Sequence, residues 1–267
     1  MTAPLQAAPN LAAGLLSGVS GVHRALVTTT EAGIVAGLGL LDPSLAPAPV
    51  GQWNIKVREG AAVAAGDVLI EVIGSAAEIG VAEDYVVGPL GFASGIATRA
   101  KMFVDACPSG LRIACGGWKK LPSALKPVLR AGLAAVGVLP RLVEGDFIYV
   151  NKNAVRLLGS VAAAIAAGRK LNHGPVAIQV KNIEEAGFAV HAGAGVIMVD
   201  TGRLDDLVLI HRELSRLQLR GQVILAFGGG VCLEDLKPAF EAGAQTVDVG
   251  RAILDAPLLD LRLEVVE

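Results

Sequence analysis

The sequence predicts an α/β protein in two parts, a small β-rich unit followed by a barrel-like α/β domain of about six strands. Three observations carry this expectation. The chain has 267 residues, 53% hydrophobic and 18% charged, which suits one large domain or two unequal ones and excludes disorder. Residues 24–74 read as short apolar segments broken by Gly and Pro turns. Beyond Leu111, Val/Ile runs alternate with helical stretches and lack strict in–out alternation, as strands covered on both faces do.

The first ~20 residues are Ala- and Pro-containing and weakly patterned, consistent with a short arm or frayed helix. ALVTTTEAGIVAGLGLL gives an apolar strand, a turn over residues 31–33 and a second apolar element. Pro43, Pro47 and Pro49 mark a loop. WNIKVREGAAVAAGDVLIEVIG reads as strand, turn, turn, strand, with Gly60 and Gly66-Asp67 at the turns. Residues 75–105 read as a helix whose Gly88, Gly91 and Gly95 share a face for close packing. The strands LRIAC, FIYVN, VAIQV, VIMVD, QVILAF and TVDVG then alternate with helices, fewer strands than the eight of a complete barrel. The helical stretches are LPSALKPVLRAG, bent at Pro127, then AVRLLGSVAAAIAAGRK, NIEEAGFAVHAG, LDDLVLIHRELSRLQL and LEDLKPAFEAG.

Composition excludes several functions. A net charge of −2 supplies no field for nucleic acid. The most apolar runs, AGIVAGLGLL and SVAAAIAAG, fall short of the ~18–20 residues of a membrane span. The start MTAPLQAAPNLAAGLL has no basic region before its apolar stretch, which predicts no signal peptide and a cytoplasmic location. Cys107, Cys115 and Cys232 lack metal-ligand spacing and read as buried thiols of a reducing compartment. Of the histidines His23, His173, His191 and His211, the last two read as surface helix residues, and neither a triad nor a zinc site emerges.

In a parallel α/β barrel, functional groups gather at the C-terminal strand ends. Those positions hold Gly116, Gly117, Trp118, Lys119 and Lys120; then Asn151, Lys152 and Asn153; then Lys181-Asn182, Asp200, the run Gly228, Gly229 and Gly230, and Gly250-Arg251. Arg141 stands near the start of FIYVN and Gln179 within VAIQV. The set is cationic and glycine-rich with one acid. A glycine run between strand and helix, joined by Gly250 and Arg251 on the next strand, suits a phosphate through exposed N–H groups at a helix N-terminus. Asp200 at a strand end can bind sugar hydroxyls or a divalent ion.

With these residues in place, the chain resembles the quinolinate phosphoribosyltransferase family, also called carboxylating nicotinate-nucleotide pyrophosphorylases. The resemblance runs from about Arg24 to the C-terminus. Its most specific pieces are EAGIVAG, VREGAAVAAGDVLIEVIG, ASGIAT, NIEEAGFAVHAGAGVIMVD, FGGGV and EAGAQTVDVGRAILDAPLLDLRLEV, in the expected order. It implies an N-terminal α/β sandwich with a connecting helix over residues 1–105. It further implies an open, incomplete α/β barrel over residues 106–267, whose tail returns to the sandwich. It also implies a homodimer, with sites drawn from both subunits, joining quinolinate to phosphoribosyl pyrophosphate with magnesium.

Carried over by position, the resemblance implies catalytic Lys119, Asp200 and Gln179, with Asp200 also the metal residue. It assigns the phosphates to Gly228, Gly229, Gly230, Gly250, Arg251, Arg141 and Lys152, and the acceptor to Asp84, Trp118, Lys120 and Asn151. Several family residues have changed. Trp118 and Asp84 stand where the family has arginines, Pro140 where it has histidine, and Gln179 where it has a strand acid. The lysine of Ile-Lys-Asp-Asn-His is displaced by one residue to Lys152, and the polar flank of the glycine run is Ala226-Phe227. An arginine-to-aspartate exchange changes local charge by two units, each contact worth about 4 kcal/mol at ~4 Å and an effective dielectric of ~20. The expectation is therefore a phosphoribosyltransferase-like enzyme that keeps phosphoribosyl pyrophosphate, or a related phosphorylated ribose, and has an acceptor other than quinolinate, stacked on Trp118. The alternatives are a noncatalytic phosphometabolite-binding relative and an ordinary quinolinate enzyme.

Overall fold

The structure is a computed structural model that describes residues 11–42, 44, 46 and 49–266. The N-terminal ten residues and Pro43 and Pro47, two of the loop prolines, lie outside the described residues. The fold class is the one the sequence predicts, a sheet-based N-terminal unit and an α/β barrel-like unit. One compact unit comprises Met1–Thr98, Pro127–Ala135 and Pro257–Glu267; the other comprises Arg99–Lys126 and Val136–Ala256. The division thus falls inside the long helix rather than after residue 105, and one short helix of the barrel region joins the first unit.

In the first unit, α1 (Leu11–Leu16) precedes β1 (His23–Thr29), β2 (Gly33–Ile34), β3 (Gln52–Ile55), β4 (Ala62–Val63) and β5 (Val68–Gly74). An antiparallel sheet runs β12-β1-β5-β3, where β12 is Leu261–Val266, and β2 pairs with β4. Ala25 and Val27 of β1 face inward with Val72 of β5, and bury against Val86 and Leu90 of α2 (Ala76–Ala106). That helix starts on a capping box. Ser75 Oγ accepts from Glu78 N–H at 3.3 Å, while Glu78 Oε2 accepts from Ser75 N–H at 2.7 Å. Close packing explains two of its three spaced glycines. A Cβ on Gly91 would stand 2.9 Å from Leu259 O, and one on Gly95 would strike Pro257 O and lie 3.0 Å from Leu258 Cα; Gly88 faces open space. Pro127 sits in the first turn of α3 (Lys126–Ala134), where its missing N–H costs nothing, and so does not bend a longer helix.

The second unit holds six parallel strands in the order β6-β11-β10-β9-β8-β7. They are β6 (Arg112–Ala114), β7 (Ile148–Val150), β8 (Val176–Val180), β9 (Val196–Val199), β10 (Ile224–Phe227) and β11 (Thr246–Asp248). At the β6 edge, Leu139 adds a parallel bridge to Ala114. The helices between strands are α4 (Lys152–Leu158), α5 (Val161–Lys170), α6 (Ile183–His191), α7 (Leu204–Arg216), α8 (Leu236–Glu241) and α9 (Arg251–Leu254). Residues 154–170 form two helices, not one. Gly159 ends α4 in the left-handed region at φ 86°, and Ser160 caps α5 by accepting from Ala163 N–H.

Side chains alternate along a strand with period two. Phe147, Ala177, Val196, Met198 and Ala226 pack together inside the sheet's curve. The next residue on the same face of each strand is Tyr149, Gln179, Asp200 or Gly228. The apolar floor thereby dictates which side chains emerge at the C-terminal ends.

Candidate active site

Those ends surround a cavity of about 340 Å³. Its lining includes Trp118, Lys119, Lys120, Arg141, Asn151, Lys152, Gln179, Asp200, Gly229, Gly230, Gly250 and Arg251, so twelve sequence-predicted residues meet in one place. Five cations, Lys119, Lys120, Arg141, Lys152 and Arg251, face two acids, Asp200 and Asp248.

The acids are set by the strands and tuned by burial. Gln179 Nε2 donates to Asp200 Oδ2 at 2.7 Å, and Gln179 Oε1 accepts from Lys152 N–H at 3.3 Å. Desolvation within the concave mouth raises the Asp200 pKa, although its side chain touches solvent; the charges of Lys152, Lys120 and Lys119 oppose the rise. Asp248 Oδ1 accepts from Gly116 N–H at 2.5 Å. Burial raises the Asp248 pKa and the Asp200 charge adds to this, against the Gly116 N–H and the two lysines. Burial, then Asp200 and Asp248, push the Tyr149 hydroxyl upward as well.

The cations are ordered by rings. Lys119 Nζ lies 4.3 Å from the Tyr149 ring centroid and 5.9 Å from that of Trp118. Lys126 Nζ stands 5.0 Å over Trp118, and the Arg141 guanidinium 4.2 Å over Phe147. A Cβ on Gly250 would stand 3.8 Å from Lys120 Nζ, so that ammonium lies close to the glycine. Arg251 Nε donates to Asp255 Oδ2 at 2.7 Å and remains largely exposed.

Several expectations need correction. Gly228 does not line the cavity; its N–H donates to Val199 O and its carbonyl accepts from Gly202 N–H, both at 2.9 Å. Gly229 and Gly230, at φ 104° and 99°, do line it, but the glycine run does not form a helix N-terminus. The 3₁₀ turn Leu233–Asp235 and α8 begin after Cys232. Asp84 is an exposed residue of α2 in the first unit and lies outside the lining that one chain forms by itself. Asn151 has a structural duty besides its place in the lining, since its Oδ1 accepts from Asn153 and Ala154 N–H, each at 2.9 Å. Lys152 opens α4 beyond the strand end, so its displacement by one residue does not turn it away from Asp200.

Outside the cavity, Cys115 is buried and burial pushes its thiol up to about 11, but Cys232 is exposed and donates to Asp235 Oδ2. His211 is not a plain surface residue, because Arg220 Nε donates to its Nδ1 at 3.2 Å. Among the described residues no group of three or more His, Cys, Asp or Glu could hold a metal ion, and no helix is long and apolar enough to cross a membrane.

Sequence reasoning missed Asp248 and Tyr149. Both lie within strands, and only the period-two count from Thr246 or Phe147 would have brought them to the mouth.

The quinolinate phosphoribosyl transferase C-terminal domain model matches residues 96–264. A probable carboxylating nicotinate-nucleotide pyrophosphorylase of Synechocystis is 25% identical over 245 residues, covering 88% of this chain and 80% of that protein. The carboxylating nicotinate-nucleotide pyrophosphorylase of Rattus norvegicus is 26% identical over 262 residues, covering 95% and 85%. The crystal structure of nicotinate-nucleotide pyrophosphorylase from Pyrococcus furiosus superposes with a TM-score of 0.79 at 18% identity, covering 100% of this chain and 79% of that one. NadC from Streptococcus pyogenes gives 0.77 at 22% identity, covering 96% and 90%. A family model that spans more than half of the chain, on a fold shared with these structures, makes this protein a member of the quinolinate phosphoribosyl transferase family.

Proposed function

We propose that the cavity binds phosphoribosyl pyrophosphate, or a related phosphorylated ribose, and transfers the ribose to a small aromatic acceptor other than quinolinate. The observation that carries this reading is that five cations line one cavity together with Gly229, Gly230 and Asp200. Lys119, Lys120, Arg141, Lys152 and Arg251 would hold the phosphates. Trp118, in the place of a family arginine, would offer the acceptor a face rather than a charge. In the transfer, the bond from ribose C1 to the pyrophosphate oxygen breaks with its electron pair leaving on pyrophosphate, and a bond from C1 to the acceptor forms. Positioning and electrostatic stabilisation of an oxocarbenium-like ribose near Asp200 supply the rate.

Asp200 fits the family's magnesium. This ion takes one or two carboxylates plus substrate phosphates rather than an all-protein cage, in keeping with the sparse acid set here. When bound it would neutralise charge on the departing pyrophosphate. Calorimetry with phosphoribosyl pyrophosphate and magnesium tests the reading. Saturable heat is expected, and no heat up to millimolar ligand would overturn it.

One observation favours a second reading, binding without turnover: the Gln179 amide already occupies Asp200 Oδ2 at 2.7 Å. Turnover with any member of a panel of azine and amine acceptors would exclude that reading.

A further inference from the structure

We infer that Asp248 is the specificity-determining residue of the acceptor site, and that it selects a ring bearing an N–H donor or positive charge where a carboxylate would otherwise sit. The inference rests on the proposed transferase reading and names the acceptor class for the same cavity.

The geometry is particular. Asp248 ends β11 and lines the cavity. Its Oδ1 is fixed by the Gly116 N–H at 2.5 Å. Two glycines make room for it. A Cβ on Gly116 would stand 2.5 Å from Asp248 Oδ2, and one on Gly228 would stand 3.3 Å from both Asp248 Cβ and Asp200 Oδ1. Any larger residue at Gly116 would displace the carboxylate. This also explains Gly228, which is not in the lining yet sits beneath the two acids.

The chemistry follows from what surrounds Asp248. Lys119, Lys120, Lys152 and Arg251 are exposed at the mouth, whereas Asp248 is half-buried and held by backbone. An ionised carboxylate accepts hydrogen bonds and donates none. A ligand acid placed against it would face like charge in a partly desolvated site, whereas an amide, amine or protonated ring nitrogen would meet a matched acceptor. The rings of Trp118 and Tyr149 in the same lining suit a flat molecule. The ligand expected is thus bipolar: phosphate at the cations, and a planar N–H-bearing ring at Asp248.

Nicotinamide and nicotinate share one ring and differ only in an amide against a carboxylate. Each would be titrated into protein already saturated with phosphoribosyl pyrophosphate and magnesium, for the wild type and for Asp248→Asn. The asparagine amide oxygen can still accept the Gly116 N–H; Asp248→Ser and the thermal midpoint of each variant guard against misfolding. The wild type should prefer nicotinamide at least tenfold, and both variants should reduce that ratio at least tenfold. Equal wild-type affinities, or a ratio unmoved in two folded variants, would overturn the inference while phosphoribosyl pyrophosphate binding leaves the transferase reading intact. A variant that shifts phosphoribosyl pyrophosphate affinity and leaves the ratio unmoved would also overturn it, by placing Asp248 on the phosphate side. Absence of phosphoribosyl pyrophosphate binding by the wild type would overturn both.

Discussion

Carboxylates meet opposite conditions in the two units. Glu71, on β5 of the first unit, is buried with Arg24 Nε at 2.5 Å and Lys56 Nζ at 2.9 Å, and Asn54 donates to it as well. Arg24 foremost, then Lys56, hold its pKa down to about 2. The charges of Lys119 and Lys120 act on both Asp200 and Asp248, and that of Lys152 on Asp200, yet burial wins and both pKa values rise. Glu71 is satisfied by the fold itself. The cavity acids and lysines share a space that a ligand could enter, and a ligand with both a phosphate and a donor would complete their pairing. That contrast separates a carboxylate that braces a sheet from one available for chemistry.

Substitutions test the contrast. The largest effect is expected from Asp200→Asn, which should lower transferase turnover on the order of a hundredfold and remove the magnesium dependence of phosphoribosyl pyrophosphate binding. Turnover within twofold of the wild type would move Asp200 to the bracing class. Next comes a first-unit glycine. Gly95→Val forces a side chain into the backbone at Pro257 and Leu258 and should cost about 2–3 kcal/mol in urea unfolding. A cost near zero would mean that the helix and tail are not packed as described.

A smaller effect is expected at the ring. Trp118→Ala should weaken acceptor binding roughly tenfold, since an aromatic contact is worth about 1 kcal/mol beyond its buried area. Calorimetry with the acceptor on the loaded protein reads this directly, and undiminished affinity would remove Trp118 from the acceptor face.

The smallest effect concerns pH. The folded pKa of Glu71 lies below its ordinary 4.5, so its contribution is present above that value and is lost as pH falls from about 4.5 towards about 2. Glu71→Gln should flatten that part of the acid-unfolding profile. An unchanged slope would show that the cluster holds Glu71 no more tightly than the unfolded chain does.

The sequence made the six parallel strands legible because each is a short Val/Ile-rich run between helices, and such runs have few other uses. It was less clear where one strand-end residue serves two purposes. Asn151 carries the signature of a cap and also lines the cavity. Gly228 looked like a phosphate residue, but its N–H and carbonyl are committed to Val199 and Gly202. Asp248 was hidden for a different reason: attention to the residue after each strand passes over the last inward residue within it. The Gly159-Ser160 break between α4 and α5 was legible in principle, as a left-handed stop followed by a hydroxyl cap, but strong helix formers before it and the alanine-rich run after it mask it.

Quinolinate titrated into protein saturated with phosphoribosyl pyrophosphate and magnesium puts the account at most direct risk. On the proposed acceptor site, where Trp118 offers a ring in place of a cation and Asp248 would meet the diacid with like charge, binding should be undetectable below millimolar concentrations. Micromolar binding, with release of carbon dioxide and pyrophosphate, would make this an ordinary member of its family and contradict the altered acceptor site.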